Sequence, residues 1–143
     1  MASTIEHKNL IRILIVEDDE EMRSLLRDFL ADEGYEGHSA HNGSEALLKL
    51  AKESFDLVIT DIRMPGLTGF DILSAIKKLE LGMPVIVITA FGGEEIFQRS
   101  MARGADGYLE KPIYFPKLKH LIHELIPAKA SIAGDFHKDM PYS

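Results

Sequence analysis

The chain has 143 residues, of which 45% are hydrophobic and 27% charged, proportions that fit one globular domain able to bury a core. With no cysteine, disulfides, thiolate metal sites and thiol catalysis are excluded, and the composition suits a reducing, cytoplasmic setting. A net charge of −7 argues against a nucleic-acid-binding surface, and no apolar run reaches membrane-spanning length or resembles a signal peptide. Residues 1–9 are polar and aperiodic and read as a leader. Residues 11–16 are almost wholly apolar and β-branched, which predicts a strand buried on both faces. From Glu20 to Glu33 the period becomes helical, with Met22, Leu25, Leu26, Phe29 and Leu30 on one stripe and Gly34 past the end. Asp19, directly before this helix, reads as its cap.

The same alternation continues. Residues 35–40 form a more polar strand, followed by an Asn42-Gly43 turn and a helix carrying Leu47, Leu50 and Ala51. Residues 57–59 are a second buried strand; Met64-Pro65-Gly66 breaks the chain, and Phe70, Leu73, Ile76 and Leu79 mark a helix. Residues 85–88 are a third buried strand, and Gly92-Gly93 leads into a weaker helix around Ile96, Phe97 and Met101. A short strand at 106–109 and a helix striped by Phe115, Leu118, Leu121, Ile122 and Leu125 complete the pattern, which is lost after Pro127. The expected organisation is therefore a leader at 1–9, a domain at 10–126 and a linker or tail at 127–143.

Five strands alternating with five helices predict a parallel sheet covered on both faces. The continuously apolar strands at Ile11, Leu57 and Val85 belong in the middle, and the more polar or shorter ones at Tyr35 and Asp106 at the edges. A doubly wound α/β sheet of order 2-1-3-4-5, the flavodoxin-like arrangement, satisfies this. Its crossover lies between the C-terminal ends of the first and third strands, where ligands bind in such sheets.

Polar residues converge on that rim. The first strand runs into Glu17-Asp18-Asp19, the third into Asp61, the fourth into Thr89 and the fifth into Lys111-Pro112. Glu17, Asp18 and Asp61 would repel one another unless a cation sat among them. An all-oxygen donor set with no adjacent histidine or cysteine points to Mg²⁺ or Mn²⁺ rather than zinc. An aspartate beside such an ion can attack phosphorus and become an acyl phosphate. Lys111 would neutralise charge on the phosphoryl oxygens, and the Thr89 hydroxyl would donate to them. A lone lysine or threonine at a strand end is ordinarily a surface or strand residue; their joint placement on one rim favours the functional reading. His38 with His41, and His120 with His123, have no third ligand in register and read as solvated surface residues.

Four stretches carry a resemblance: Ile13-Leu14-Ile15-Val16-Glu17-Asp18, Thr60-Asp61-Ile62-Arg63-Met64-Pro65-Gly66, Pro84-Val85-Ile86-Val87-Ile88-Thr89-Ala90 and Gly104-Ala105-Asp106-Gly107-Tyr108-Leu109-Glu110-Lys111-Pro112. Together, in order and in register over residues 11–126, they resemble the receiver domain of bacterial two-component response regulators. The resemblance implies that Asp61 receives a phosphoryl group from a phosphohistidine on a sensor histidine kinase or phosphotransfer protein. It implies that Asp18 binds Mg²⁺ directly, that Glu17 acts through water, and that Arg63 offers its backbone carbonyl. It also implies that Thr89 and Tyr108 form a switch pair and that the Lys111-Pro112 bond is cis. Such a domain is a phosphoacceptor that assists its own phosphorylation and dephosphorylation, not a turnover enzyme. Glu17 departs from the more common aspartate, Ile113 from phenylalanine, and Phe91 and Arg63 flank the expected pocket mouth, where a bulky Phe91 is expected to slow hydrolysis.

Two rival functions remain open on sequence alone. Phosphohydrolases with a strand-end aspartate resemble Asp-x-Asp, but Arg63 stands at the second position and there is no room for a cap domain. A binding module that has abandoned phosphorylation would have no need of Glu17, Asp18, Asp61, Thr89 and Lys111 together. The segment after Gly92-Gly93 is expected to move, and the helix there, the Tyr108 strand and the last helix form the expected output or dimer face. The output would be a downstream partner or a further domain of a longer chain.

Overall fold

The computed structural model describes residues 10–126. Its elements alternate strictly: β1 (Arg12–Val16), α1 (Glu20–Asp32), β2 (Glu36–Ala40), α2 (Gly43–Lys52), β3 (Leu57–Asp61), α3 (Gly69–Lys78), β4 (Val85–Thr89), α4 (Glu94–Ala102), β5 (Gly107–Glu110) and α5 (Phe115–Leu125). All strand pairs are parallel, and the order is β2-β1-β3-β4-β5, as the burial pattern predicts. Because a strand turns successive side chains to opposite faces, each central strand feeds two cores. Leu14, Val16, Val58, Val85 and Val87 meet Ala46 and Leu50 of α2 and Ile72, Leu73 and Ile76 of α3. On the other face, Ile13, Ile15, Leu57, Ile59, Ile86 and Ile88 meet Leu26 and Leu30 of α1 and Leu118 and Ile122 of α5. Continuous burial of β3 and β4 explains their unbroken apolar sequence, while β2 is half-exposed along most of its length.

Local chemistry fixes the element ends. The Asp19 side chain accepts from Met22 N at 2.8 Å and caps α1, as expected from sequence. Asn42 does the same for α2 through Glu45 N, and Thr68 with Asp71 forms a reciprocal capping box at α3. The strands shift slightly from their expected bounds. β3 runs on through Thr60 and Asp61, both buried, and β5 begins at Gly107 because the Asp106 carboxylate accepts from Val85 N at 2.9 Å. α4 is weakly anchored, with Ser100 its one buried residue. Among the described residues no helix is long and apolar enough to cross a membrane. The expected leader and tail lie outside the described residues.

Candidate metal centre

β1 ends on Val16, and the chain leaves the sheet at Glu17 and Asp18 before turning into α1. Arg23, one turn into that helix, donates from its guanidinium to the carbonyls of Glu17 (2.8 Å) and Asp18 (3.1 Å), which fixes the path of this loop. The Asp19 amide donates to Glu17 Oε2 at 3.0 Å, so the Glu17 side chain folds inward and is 2% exposed. β3, paired with β1 on one side and β4 on the other, delivers Asp61 to the same rim at 6% exposure. Carboxylate oxygens of Glu17, Asp18 and Asp61 all lie within 4.8 Å of one another, the one such cluster of metal-ligating side chains among the described residues.

Lys111, just past β5, reaches into this group. Its Nζ donates to Glu17 Oε1 and to Asp61 Oδ2, both at 2.8 Å, and the Arg63 amide donates to Asp61 Oδ1 at 3.1 Å. Burial pushes the Glu17 carboxyl up, to about 7; the Asp61 charge adds to this, and Lys111 and the Asp19 amide oppose it. Burial also works against the Lys111 ammonium, but the two carboxylates outweigh it and hold its pKa above the ordinary value. One cation for three acids leaves an excess of negative charge at a site where Glu17 and Asp61 are buried and Asp18 opens to solvent.

The remaining expected residues are placed around this group rather than in it. Thr89 ends β4, and its Oγ accepts from Phe91 N at 3.2 Å, so its own proton is unspent. Tyr108 packs among the α2–α3 side of the core, with its ring edge-on to Phe97 at 5.2 Å and its hydroxyl buried without a hydrogen-bond partner. Arg63 is exposed, and its guanidinium lies 4.8 Å above the ring of Phe91, itself 64% exposed, so the two side chains join the loops after β3 and β4. The Lys111-Pro112 bond is cis. His38 is less solvated than its sequence suggests. It is half-buried, contacts Glu36 at 2.5 Å and packs edge-on against Phe55, in a cluster at Arg12 on the opposite end of the sheet.

Three residues beside the site escape a sequence reading. Arg23 is one of many helix cations. Gly69 permits α3 to start against Asp61: a Cβ there would overlap the Asp61 carbonyl oxygen and come within 2.9 Å of Ile62 Cα. Glu110 accepts from Gly93 N at 2.9 Å across the loop. Gly69 and Glu110 act on residues of another element, and Arg23 acts on backbone carbonyls of the loop before its helix, so no local pattern signals them.

The model of the response regulator receiver domain matches residues 13–123. This chain belongs to that family. It is 37% identical over 117 residues to the chemotaxis protein CheY of Halobacterium salinarum, covering 82% of this chain and 98% of the relative. It is 34% identical over 120 residues to the sporulation initiation phosphotransferase F of Bacillus subtilis, covering 84% and 97%. The response regulator TrrA of Thermotoga maritima, solved in complex with Mg²⁺-BeF, superposes with a TM-score of 0.75 at 38% identity, covering 82% of this chain and all of that one. The receiver domain is a phosphoacceptor of two-component signalling, and receiver domains work with histidine kinases and phosphotransferases. Its acidic pocket of Glu17, Asp18 and Asp61 suits a phosphoaspartate site that also holds a metal.

Proposed function

We propose that Asp61 is the phosphorylated residue and that Glu17, Asp18, Asp61 and the Arg63 backbone carbonyl hold Mg²⁺, with Mn²⁺ as a substitute. The observation that carries this reading is the meeting of three carboxylates within 4.8 Å with a single ammonium between two of them. Hard oxygen donors in excess of local positive charge fit a hard divalent cation. A bound cation of this kind neutralises the crowded carboxylates and the oxygens of an incoming phosphoryl group.

The protein's own groups do the rest. An Asp61 carboxylate oxygen attacks the phosphorus of a phosphohistidine; the O–P bond forms as the N–P bond breaks, and the imidazole leaves and takes up a proton. The Arg63 amide and Lys111 Nζ orient the Asp61 carboxylate for this attack. Lys111 then transfers its hydrogen bond to the phosphoryl oxygens, and the unspent Thr89 proton is donated to them as well. The draw on Thr89 biases the β4–α4 loop and Tyr108, which alters the face made by α4, β5 and α5 for a downstream partner, an output domain or a second copy. Donors are a sensor histidine kinase or a histidine phosphotransfer protein in the cytoplasm, and the phosphoryl group is later lost to water with the same residues assisting.

The decisive experiment is intact-mass analysis after incubation with acetyl phosphate and Mg²⁺. The native protein gains the mass of one phosphoryl group, and chelation of the metal or Asp61→Asn abolishes the gain. A gain that persists in Asp61→Asn places the phosphoryl group elsewhere and overturns the assignment.

A further inference from the structure

α4 begins without a cap of its own. Its N-cap residue is Gly93, at φ 103°, which has no side chain to accept from the first turn. The N-cap's own amide is held from another element instead: Glu110, the last residue of β5, accepts from Gly93 N at 2.9 Å. A carboxylate at this position also complements the positive end of the helix. The Tyr108 hydroxyl lies against the same loop. A Cβ on Gly92 would overlap Glu110 Oε2 and come within 2.5 Å of the Tyr108 hydroxyl, so glycine is the residue that lets loop, carboxylate and phenol meet. The phenol is buried and unpartnered, and its ring is held edge-on by Phe97 of α4. Burial raises the Tyr108 pKa, and the Glu110 carboxylate raises it further through its charge and its approach to the hydroxyl, although the two make no hydrogen bond of standard geometry.

Resting on the phosphoacceptor reading above, we propose that Glu110 is a positioning residue for that reaction. By tying Gly93 down over the inward-facing Tyr108, it holds the β4–α4 loop in the arrangement from which Thr89 donates its proton to a phosphoryl group on Asp61. Thr89 and Gly93 are four residues apart, at the two ends of this loop. The Thr89 end is fixed by the amide of Phe91, and the Gly93 end by Glu110. Release of the second tie lets the loop and Tyr108 sample other positions, and a phosphoryl group must then select the competent one at a cost in affinity. Glu110 bonds the loop amide of Gly93 and is not a member of the Glu17, Asp18 and Asp61 cluster, so its part is mechanical and not a contribution to metal binding.

The test uses Glu110→Ala and Glu110→Gln, the second of which retains an oxygen able to accept from Gly93. Both are titrated by ¹H–¹⁵N NMR, first with Mg²⁺ alone and then with beryllium fluoride in saturating Mg²⁺ as the phosphoryl mimic. Loss of one such hydrogen bond is expected to weaken beryllium fluoride binding roughly fivefold in Glu110→Ala, and Glu110→Gln to restore it to within about twofold. Mg²⁺ affinity stays at the native value in both. Before any ligand is added, the Gly93 amide proton moves upfield in Glu110→Ala and not in Glu110→Gln. Native affinity for beryllium fluoride in Glu110→Ala overturns the proposal, as does an equal loss in both variants, which would trace the effect to charge. An unmoved Gly93 resonance overturns it too, independently of phosphoryl chemistry. Failure of the native protein to bind beryllium fluoride is a separate result, since it removes the phosphoacceptor reading itself.

Discussion

Glu17 shows how burial and a neighbouring charge act on one side chain of the rim. It is 2% exposed, shares Lys111 with Asp61, and its carboxyl is pushed up to about 7 by burial and the neighbouring charge. A carboxyl with the ordinary value of 4.5 in the unfolded chain releases its proton there first. Between pH 4.5 and about 7 the metal-free folded state therefore holds a proton that the unfolded state has lost, and stability falls as pH rises through that window. The effect amounts to roughly 1.4 kcal/mol for each pKa unit of difference. Under the proposed metal assignment, Mg²⁺ would bind the deprotonated form and reverse the trend. Urea unfolding in EDTA is thus expected to give a lower midpoint at pH 8 than at pH 5.5, with the gap closed by Mg²⁺ and largely removed by Glu17→Gln. A metal-free midpoint that rises over the same range would show that Glu17 is already ionised and fully compensated by Lys111.

At the scale of elements, legibility follows from how local the cause is. β1, β3 and β4 are legible because burial on both faces leaves unbroken apolar runs, and α1 is legible because Asp19 and the stripe through Leu26 and Leu30 lie within a few residues. The site is legible in outline for the same reason: parallel strands bring their C-terminal ends to one rim, so Glu17, Asp18, Asp61, Thr89 and Lys111 must be neighbours there. What the sequence conceals are contacts between elements, such as the Glu110 tie to α4, the enclosure of the Tyr108 phenol and the approach of α3 to Asp61. Gly69 gives the last of these a measurable consequence. The atoms that a Cβ would meet are backbone atoms of Asp61 and Ile62, which cannot rotate away. Gly69→Ala is expected to cost about 1–3 kcal/mol in denaturant unfolding, by overpacking, and to weaken Mg²⁺ binding by displacing Asp61. Gly66, at φ 79° with nothing within 4 Å, is the control: alanine there incurs backbone strain of about 1 kcal/mol and leaves the metal untouched. Equal effects at the two glycines would show that the contact with Asp61 carries no special weight.

For the whole molecule, the division into two cores decides how much chain the switch requires. The α1–α5 face closes late in the sequence. Leu118 and Ile122 are fully buried, Leu125 packs against them, and Ile126 is 7% exposed in the same cluster, while Ile11 covers it from the other end of the chain. Among the described residues, the members of both cores lie between Ile11 and Ile126, on both faces of the sheet. We therefore propose 10–126 as an autonomous unit. A fragment of 10–126 is expected to unfold cooperatively, to bind Mg²⁺ as the longer chain does and to accept a phosphoryl group on Asp61. A fragment of 10–121 removes Ile122, Leu125 and Ile126 and opens that core. Loss of even one buried isoleucine side chain costs about 2–5 kcal/mol, and a domain of this size has about 5–15 kcal/mol in all, so the shorter fragment is expected to be largely unfolded at 37 °C. Thermal denaturation followed by circular dichroism separates the two. An unfolded 10–126 fragment would move the domain boundary outward, and a cooperatively folded 10–121 fragment would show that the second core closes without the end of α5.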